Sequence, residues 1–452
     1  LTDNFFLDVN GDGLSDKVAV KYDWYQYDGK CGKTPISWNY RLRNQNNSFS
    51  SPVSIGALPA NFFSHLIAAD FNGDGLDDFA YVRFNHENQD YTIVDRVGIS
   101  NGNGFDVYLL PSGGIQSQNH PDFQVGDFDG NGKADLMLVK RESAVNNNNV
   151  FVYSFNDATH SFTTVFSDYI GFGNTDYDKA QVIIGDFDGD GRSDLMRTAE
   201  FGGGQHTSNC FIYRINLQSG VAEYLYGTPS NGYPSTWHQI YTGDFNGDGI
   251  TDILTYNYTA ANPVWEIALF TGTGFVNMPG VPNIGHFDLY ESMDAYLNKL
   301  LLADFNNDAK TDILVISKEN SSTTTANFSL FYSNGREFAN TMEGSFVHQG
   351  GFSELTCYNQ FRRESVSLVM DFNGDAYADF YISKGIYKDW VFLHDPSNTF
   401  NRVLSFTNGL GTKSSPEYLP LTNPEVYSKD HTATYPLRDI QPAMYVVSAV
   451  RR

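Results

Sequence analysis

Seven stretches of nine residues in this 452-residue chain follow one pattern: Asp at position 1, Asp or Asn at positions 3 and 5, and Asp at position 9. They are Asp8–Asp16, Asp70–Asp78, Asp127–Asp135, Asp186–Asp194, Asp244–Asp252, Asp304–Asp312 and Asp371–Asp379, and a short apolar run follows each. Successive starts lie 62, 57, 59, 58, 60 and 67 residues apart. So steady a period marks an array of like units, each too small to bury its own apolar face and therefore obliged to pack on its neighbours.

Oxygens at positions 1, 3, 5 and 9, with the carbonyl of position 7, can wrap a hard cation that takes six to eight oxygen ligands. Calcium suits such a loop better than magnesium, which needs a tighter octahedron and loses water reluctantly. The expected donors are Asp8, Asn10, Asp12, Leu14 and Asp16 in the first loop, and Asp70, Asn72, Asp74, Leu76 and Asp78 in the second. In the third and fourth they are Asp127, Asp129, Asn131, Lys133 and Asp135, then Asp186, Asp188, Asp190, Arg192 and Asp194. The last three loops offer Asp244, Asn246, Asp248, Ile250 and Asp252; Asp304, Asn306, Asp308, Lys310 and Asp312; and Asp371, Asn373, Asp375, Tyr377 and Asp379. Position 7 contributes its backbone carbonyl in every case.

An EF-hand begins alike but needs Glu at position 12 and flanking helices. Position 12 here is Ala19, Tyr81, Leu138, Arg197, Thr255, Val315 or Ile382, and flanks such as Val182-Ile-Ile-Gly read as strands. A metal-free tight turn is the alternative, since Asp, Asn and Gly tolerate left-handed backbone. Against it, a simple turn has no evident use for the carboxylate kept at position 9 in all seven copies. Five loops have Gly at positions 4 and 6; the sixth has Asn307 and Ala309 and the seventh Ala376, so these two are expected to bind most weakly.

The formal charge of −24 argues against a nucleic-acid partner, and seven bound Ca²⁺ would offset more than half of it. No apolar run reaches the roughly 20 residues that span a bilayer, and no membrane insertion is expected. The opening Leu1-Thr-Asp-Asn has no signal-peptide pattern, so a mature form or an excised piece is expected. Loops of this kind fill where calcium is roughly millimolar, which points outside the cell. At about ten times a typical dissociation constant each ion adds about 1.4 kcal/mol, so up to seven ions would rival the stability of a whole domain. Cys31, Cys210 and Cys357 are too few for a disulfide scaffold; they are either independent thiols or, for Cys31 and Cys357, a bridge between the first and last repeats.

Short apolar runs, abundant aromatics and the lack of helical periodicity make the chain all-β. The fourth repeat divides into strands over Gln181–Phe187, Asp194–Ala199, Cys210–Gln218 and Val221–Tyr226, the sixth over Leu300–Phe305, Asp312–Ser317, Asn327–Ser333 and Glu337–Thr341. Seven four-stranded units, each with a calcium loop between its first and second strands, predict a seven-bladed β-propeller. Loop and flanks resemble the FG-GAP or VCBS repeats of integrin α-subunit propellers and many secreted bacterial proteins. The resemblance covers residues 1–407 and implies a propeller that binds calcium in its loops.

Residues 408–452 carry no acidic loop and are expected to form a linker or cap. Their Gly409-Leu-Gly, Tyr418-Leu-Pro-Leu-Thr, Val426-Tyr and Tyr445-Val-Val-Ser resemble the stretch joining the propeller to the Rhs/YD shell in Tc-toxin B components and SpvB-like proteins. That likeness implies a binding or scaffold module of a larger secreted protein, contacting a protein partner or a surface. A free-standing glycan-binding lectin is the alternative, and a polysaccharide lyase the third reading. No catalytic constellation stands out: Gly202-Gly-Gly lacks a following Lys and Ser/Thr, and nearly every clustered Asp belongs to an acidic loop. His238 beside Trp237, and His348 near Arg362 and Arg363, are the proton-transfer candidates a lyase would use. For a binding face the aromatics Trp24, Tyr25, Tyr27, Trp38, Tyr233, Trp237, Tyr387 and Trp390 fall between strands two and three or between repeats, and 341–366 is the longest connection before a first strand.

Overall fold

The computed structural model describes residues 2–451 apart from 28–29, 45, 47, 57, 59–62, 86–90, 119–120, 141–147, 171–180, 201–207, 228–239, 258–263, 282–283, 285–298, 319–324, 348–366, 384–388, 395–401, 430–436, 438–440 and 442–443. The chain is all-β, a run of antiparallel sheets whose strands follow one another in chain order. Each of seven consecutive sheets begins with a short strand, turns through an acidic loop and continues into a second strand that starts at the position-9 Asp.

Five of these sheets have four strands. The fourth, for example, comprises Val182–Gly185, Asp194–Glu200, Ser208–Asn216 and Val221–Gly227. The last strand of the sixth sheet, Phe338–Val347, runs six residues beyond its expected end, so the connection read as 341–366 starts only after it. Two sheets depart from four strands. In the second, Pro111-Ser-Gly-Gly turns the chain so that Phe105–Leu109 and Ile115–Gln118 lie end to end along the same ten-residue strand, Tyr91–Ser100, giving five strands. Gly114 is required there, because a Cβ would sit 2.1 Å from the Val94 carbonyl oxygen. The seventh sheet has three strands among the described residues.

The second strands read as unbroken apolar runs because both their faces are covered. Leu195 packs into the cluster shared with the third sheet, and its neighbour Met196 into the one shared with the fifth. Ile253 and Leu254, and Ile313 and Leu314, divide in the same way. Six apolar clusters thus lie between six successive pairs of sheets. Between the seventh sheet and the first, Phe6 meets Phe372 and Tyr381 edge-on, each at 4.9 Å, and Asn4 donates to the Tyr381 hydroxyl at 2.8 Å.

Trp24, Tyr25 and Tyr27 are strand residues of a long hairpin, Asp16–Tyr27 with Lys30–Arg41, and not loop residues as the sequence suggested. Trp38 belongs to the opposite arm and is buried in the first core cluster against Phe5 and Tyr81, so it offers no ligand surface. Its two-residue alternation with Tyr40 turns both toward the neighbouring sheet. Cys210 is buried in the core between the fourth and fifth sheets and forms no disulfide, and burial pushes its thiol up to about 12. The Cys31–Cys357 pairing lies outside the described residues.

Beyond the seventh sheet, Phe406–Thr407, Lys413–Pro420 and Tyr445–Arg451 form a separate three-stranded sheet. The segment leading out of it returns to the acidic loops. Thr422, buried, donates to the Gly374 carbonyl at 2.6 Å, and the Lys429 ammonium donates to the Gly11 carbonyl at 3.1 Å. No described helix is long and apolar enough to cross a membrane.

Candidate metal centres

All seven acidic loops fold alike, and the position-1 Asp organises each one. In the fourth, Asp186 Oδ1 accepts from the backbone N–H of Gly189 and Asp190, and its Oδ2 from Gly191. Asp188 Oδ1 then accepts from Asp190, and Asp190 Oδ1 from Arg192. Such bonds need left-handed backbone at positions 4 and 6. Glycines supply it in five loops; Asn307 (φ 58°), Ala309 (64°) and Ala376 (65°) adopt it despite their side chains.

The position-9 carboxylate is wholly buried and ties the loop to its own sheet. Asp252 Oδ2 accepts from the Phe245 N–H at 3.0 Å and Oδ1 from the Phe270 N–H at 2.8 Å. Asp16, Asp78, Asp312 and Asp379 hold the same two positions through Val9 and Arg43, Phe71 and Ser100, Phe305 and Ser333, and Phe372 and His394. The carboxylate at this position therefore has a structural use, contrary to the premise drawn from sequence. The sequence carries a further signal: six loops have Phe at position 2, and that residue plugs the core beneath the loop.

Consecutive loops are joined. The backbone N–H at position 8 of one loop donates to the position-1 carbonyl of the loop before it: Asp77 to Asp8, Ala134 to Asp70, Ser193 to Asp127, Thr251 to Asp186 and Thr311 to Asp244, at 2.6–2.9 Å. The position-7 side chain also crosses to the position-4 residue of the preceding loop. Lys310 lies so close to Gly247, and Leu14 to Gly374, that a Cβ there would meet them at 3.0 and 2.6 Å. Leu14 belongs to the first loop and Gly374 to the seventh.

Burial, and after it the neighbouring carboxylates, drive these acids upward. Asp16 is pushed up to about 8, Asp8, Asp135, Asp194, Asp252, Asp312 and Asp379 to about 7, and Asp371 to about 6. Asp78 also rises well above its ordinary value. The cost of holding these charges close together is what a divalent cation would relieve.

The donor set fits a hard cation. Asp127, Asp129 and Asp135 each place a carboxylate oxygen within 4.8 Å of the others, and so do Asp186, Asp188 and Asp190. Asp194 Oδ1, in a fully buried side chain, meets no hydrogen-bond partner among the described residues. In that fourth loop the guanidinium of Arg214, from the third strand, pairs with Asp188 and lies 3.5 Å from Asp190 Oδ2, which Arg192 also engages. Asp190 accordingly shifts the other way, below its ordinary value, chiefly through Arg192. The candidates His238, Trp237, Tyr233, His348, Arg362, Arg363 and Tyr387, the run Gly202–Gly204 and the side chain of Trp390 lie outside the described residues.

No curated protein sequence matches the chain at a significant level. Among solved structures, the exotype rhamnogalacturonan lyase YesX aligns with a TM-score of 0.42 at 10% identity, over 86% of this chain and 71% of that one. Rhamnogalacturonan lyase YesW gives 0.36 at 14%, over 82% and 71%. A 6-phosphogluconolactonase-like protein of Bacteroides fragilis gives 0.39 at 10%, over 79% and 92%. Likeness at that level carries nothing about the activity of this chain. Residues 8–81 and 127–196, which hold the first four acidic loops, match the FG-GAP-like repeat family.

Proposed function

We propose that the seven sheets are the blades of a closed propeller, that each acidic loop holds a calcium ion, and that the protein is an extracellular binding scaffold. Closure is supported by the seam: the position-4 to position-7 approach that links the fifth loop to the sixth also links the seventh to the first, through Gly374 and Leu14. Calcium is supported by the buried, upward-shifted acids. The ion would supply positive charge and coordination; the chain's own residues orient the oxygens through the loop's backbone N–H groups and keep position 9 from water.

The observation that favours a protein partner lies in the C-terminal sheet. Leu404, Phe406, Leu410, Val447 and Val450 are all more than half exposed there. A mostly aliphatic surface suits protein contact, whereas sugars stack on aromatic rings. This agrees with a module of a larger secreted Rhs or Tc-like protein, in which residues 408–452 meet the next part of the assembly. Two measurements test the reading: the melting temperature in calcium against chelator, and a glycan array probed with the calcium-loaded chain. A melting temperature indifferent to chelator would overturn the calcium assignment, and saturable binding to one sugar class would replace the scaffold by a lectin.

A further inference from the structure

The fourth loop differs from the other six in its set of side-chain ligands. It has carboxylates at all four side-chain ligand positions, Asp186, Asp188, Asp190 and Asp194, where every other loop has one Asn. The third strand of each sheet passes beside its own loop, and the antiparallel register shows which residue comes nearest. The residue after position 9 pairs with Arg41, Gly98, Tyr153, Tyr213, Ala268, Phe331 or Phe392 in the seven sheets. One residue further along stand Leu42, Ile99, Ser154, Arg214, Leu269, Tyr332 and Leu393. The only cation in that series falls in the sheet with the extra carboxylate, and its guanidinium pairs with Asp188 and approaches Asp190.

From this we infer that Arg214 is a built-in counter-charge that sets the divalent-cation affinity of the fourth loop. The inference rests on the loops taking a divalent cation, as proposed above. Counted over the ligand side chains alone, three carboxylates and a divalent ion leave one negative charge in six of the loops; in the fourth the extra carboxylate is offset by the Arg214 guanidinium, which reaches Asp188 from outside the loop, while the loop's own Arg192 engages Asp190. Asp194 Oδ1, buried and without a partner among the described residues, is an oxygen that the guanidinium does not satisfy and an incoming cation can. Without the ion, Arg214 holds Asp188 and Asp190 together. With it, the two positive groups repel, and at about 6 Å separation in water that repulsion weakens binding about tenfold. Arg214 thus trades affinity for a loop that keeps its shape when empty.

The test uses the full chain at low ionic strength, with calcium titrated against a chromophoric chelator and melting followed in chelator and in saturating calcium. In Arg214→Leu, which installs the residue found at three of the equivalent positions, one site should tighten about tenfold and the metal-free melting temperature should fall, so the calcium-induced rise exceeds that of wild type. Arg214→Lys, which keeps the charge, should stay close to wild type. Adding Asp188→Asn to Arg214→Leu restores three carboxylates and should return both readouts toward wild type. A calcium isotherm for Arg214→Leu that superimposes on wild type overturns the inference while leaving calcium binding intact. A wild-type protein that does not respond to calcium overturns both.

Discussion

The Ser15 hydroxyl donates to the Asp371 carbonyl oxygen at 2.8 Å, joining residues 356 positions apart. Ser15 is position 8 of the first loop and Asp371 position 1 of the seventh, the pair of positions through which other neighbouring loops are joined by a backbone N–H. Replacing Ser15 with Ala should cost about 1 kcal/mol, seen as a lower urea midpoint at unchanged slope. An unchanged midpoint would mean that this contact contributes nothing to holding the seam.

Gly374 at the same seam and Gly191 in the fourth loop separate backbone strain from contact. Both have positive φ, but a Cβ on Gly374 would meet Leu14 and Thr422 within 3.0 Å, whereas one on Gly191 meets nothing within 4 Å. Gly191→Ala should therefore cost the backbone term alone, about 1 kcal/mol, and Gly374→Ala about 1–3 kcal/mol more. Equal losses in thermal unfolding would argue against a packed junction between the first and seventh loops.

In the metal-free protein the raised acids make stability fall as pH rises. Their folded values of about 6 to 8 lie above the ordinary 3.8, so between about pH 4 and 8 the folded state holds more protons than the unfolded one. Chelated protein should melt higher at pH 5 than at pH 8. Calcium binding expels those protons and should strengthen over the same window, so calcium-loaded protein should show the reverse trend. Melting curves at the two pH values, with and without chelator, check both signs.

The period and the nine-residue pattern were enough to place the first two strands of all seven sheets, because a turn held by its own Asp side chains is local chemistry. The Phe at position 2 of six loops is equally legible in the sequence. Trp38 was misplaced because alternation along a strand shows which residues share a face but not whether a neighbouring sheet covers it. The fifth strand of the second sheet depends on Pro111 to Gly114 steering the chain along a partner about 20 residues earlier, which no local pattern announces. Arg214 lies 20 residues beyond its loop, and only the strand register brings it back to Asp188.

Ala309 and Ala376 keep the left-handed backbone that glycine supplies in the other loops. Ala309→Gly and Ala376→Gly should each stabilise the protein by about 0.5 kcal/mol, the relief of left-handed strain exceeding the added unfolded-chain entropy, seen as a higher urea midpoint. Single-loop Asp→Ala variants followed by calorimetric titration should show loops six and seven to be the weakest calcium sites. Weakest binding at any of the five glycine-bearing loops would refute that ranking.

Tyr377, at position 7 of the seventh loop, is packed between His394, stacked at 3.9 Å, and Arg402, which donates to its hydroxyl at 2.9 Å and lies 3.4 Å from the ring centre of Tyr445. Arg402→Ala together with Thr422→Val should release the C-terminal segment from the loops. Limited proteolysis read by intact mass should then cut beyond residue 402 while the preceding sheets survive. Cleavage no faster than in wild type would show that these contacts do not hold the segment.

A linear stack of repeats leaves two raw ends, each of which needs a specialised polar unit to keep it from sticking to other molecules. The contact of Ser15 with Asp371 turns those two ends against each other. In the closed ring proposed above neither the first nor the last repeat needs a capping sequence, and both keep the acidic pattern of the five between them.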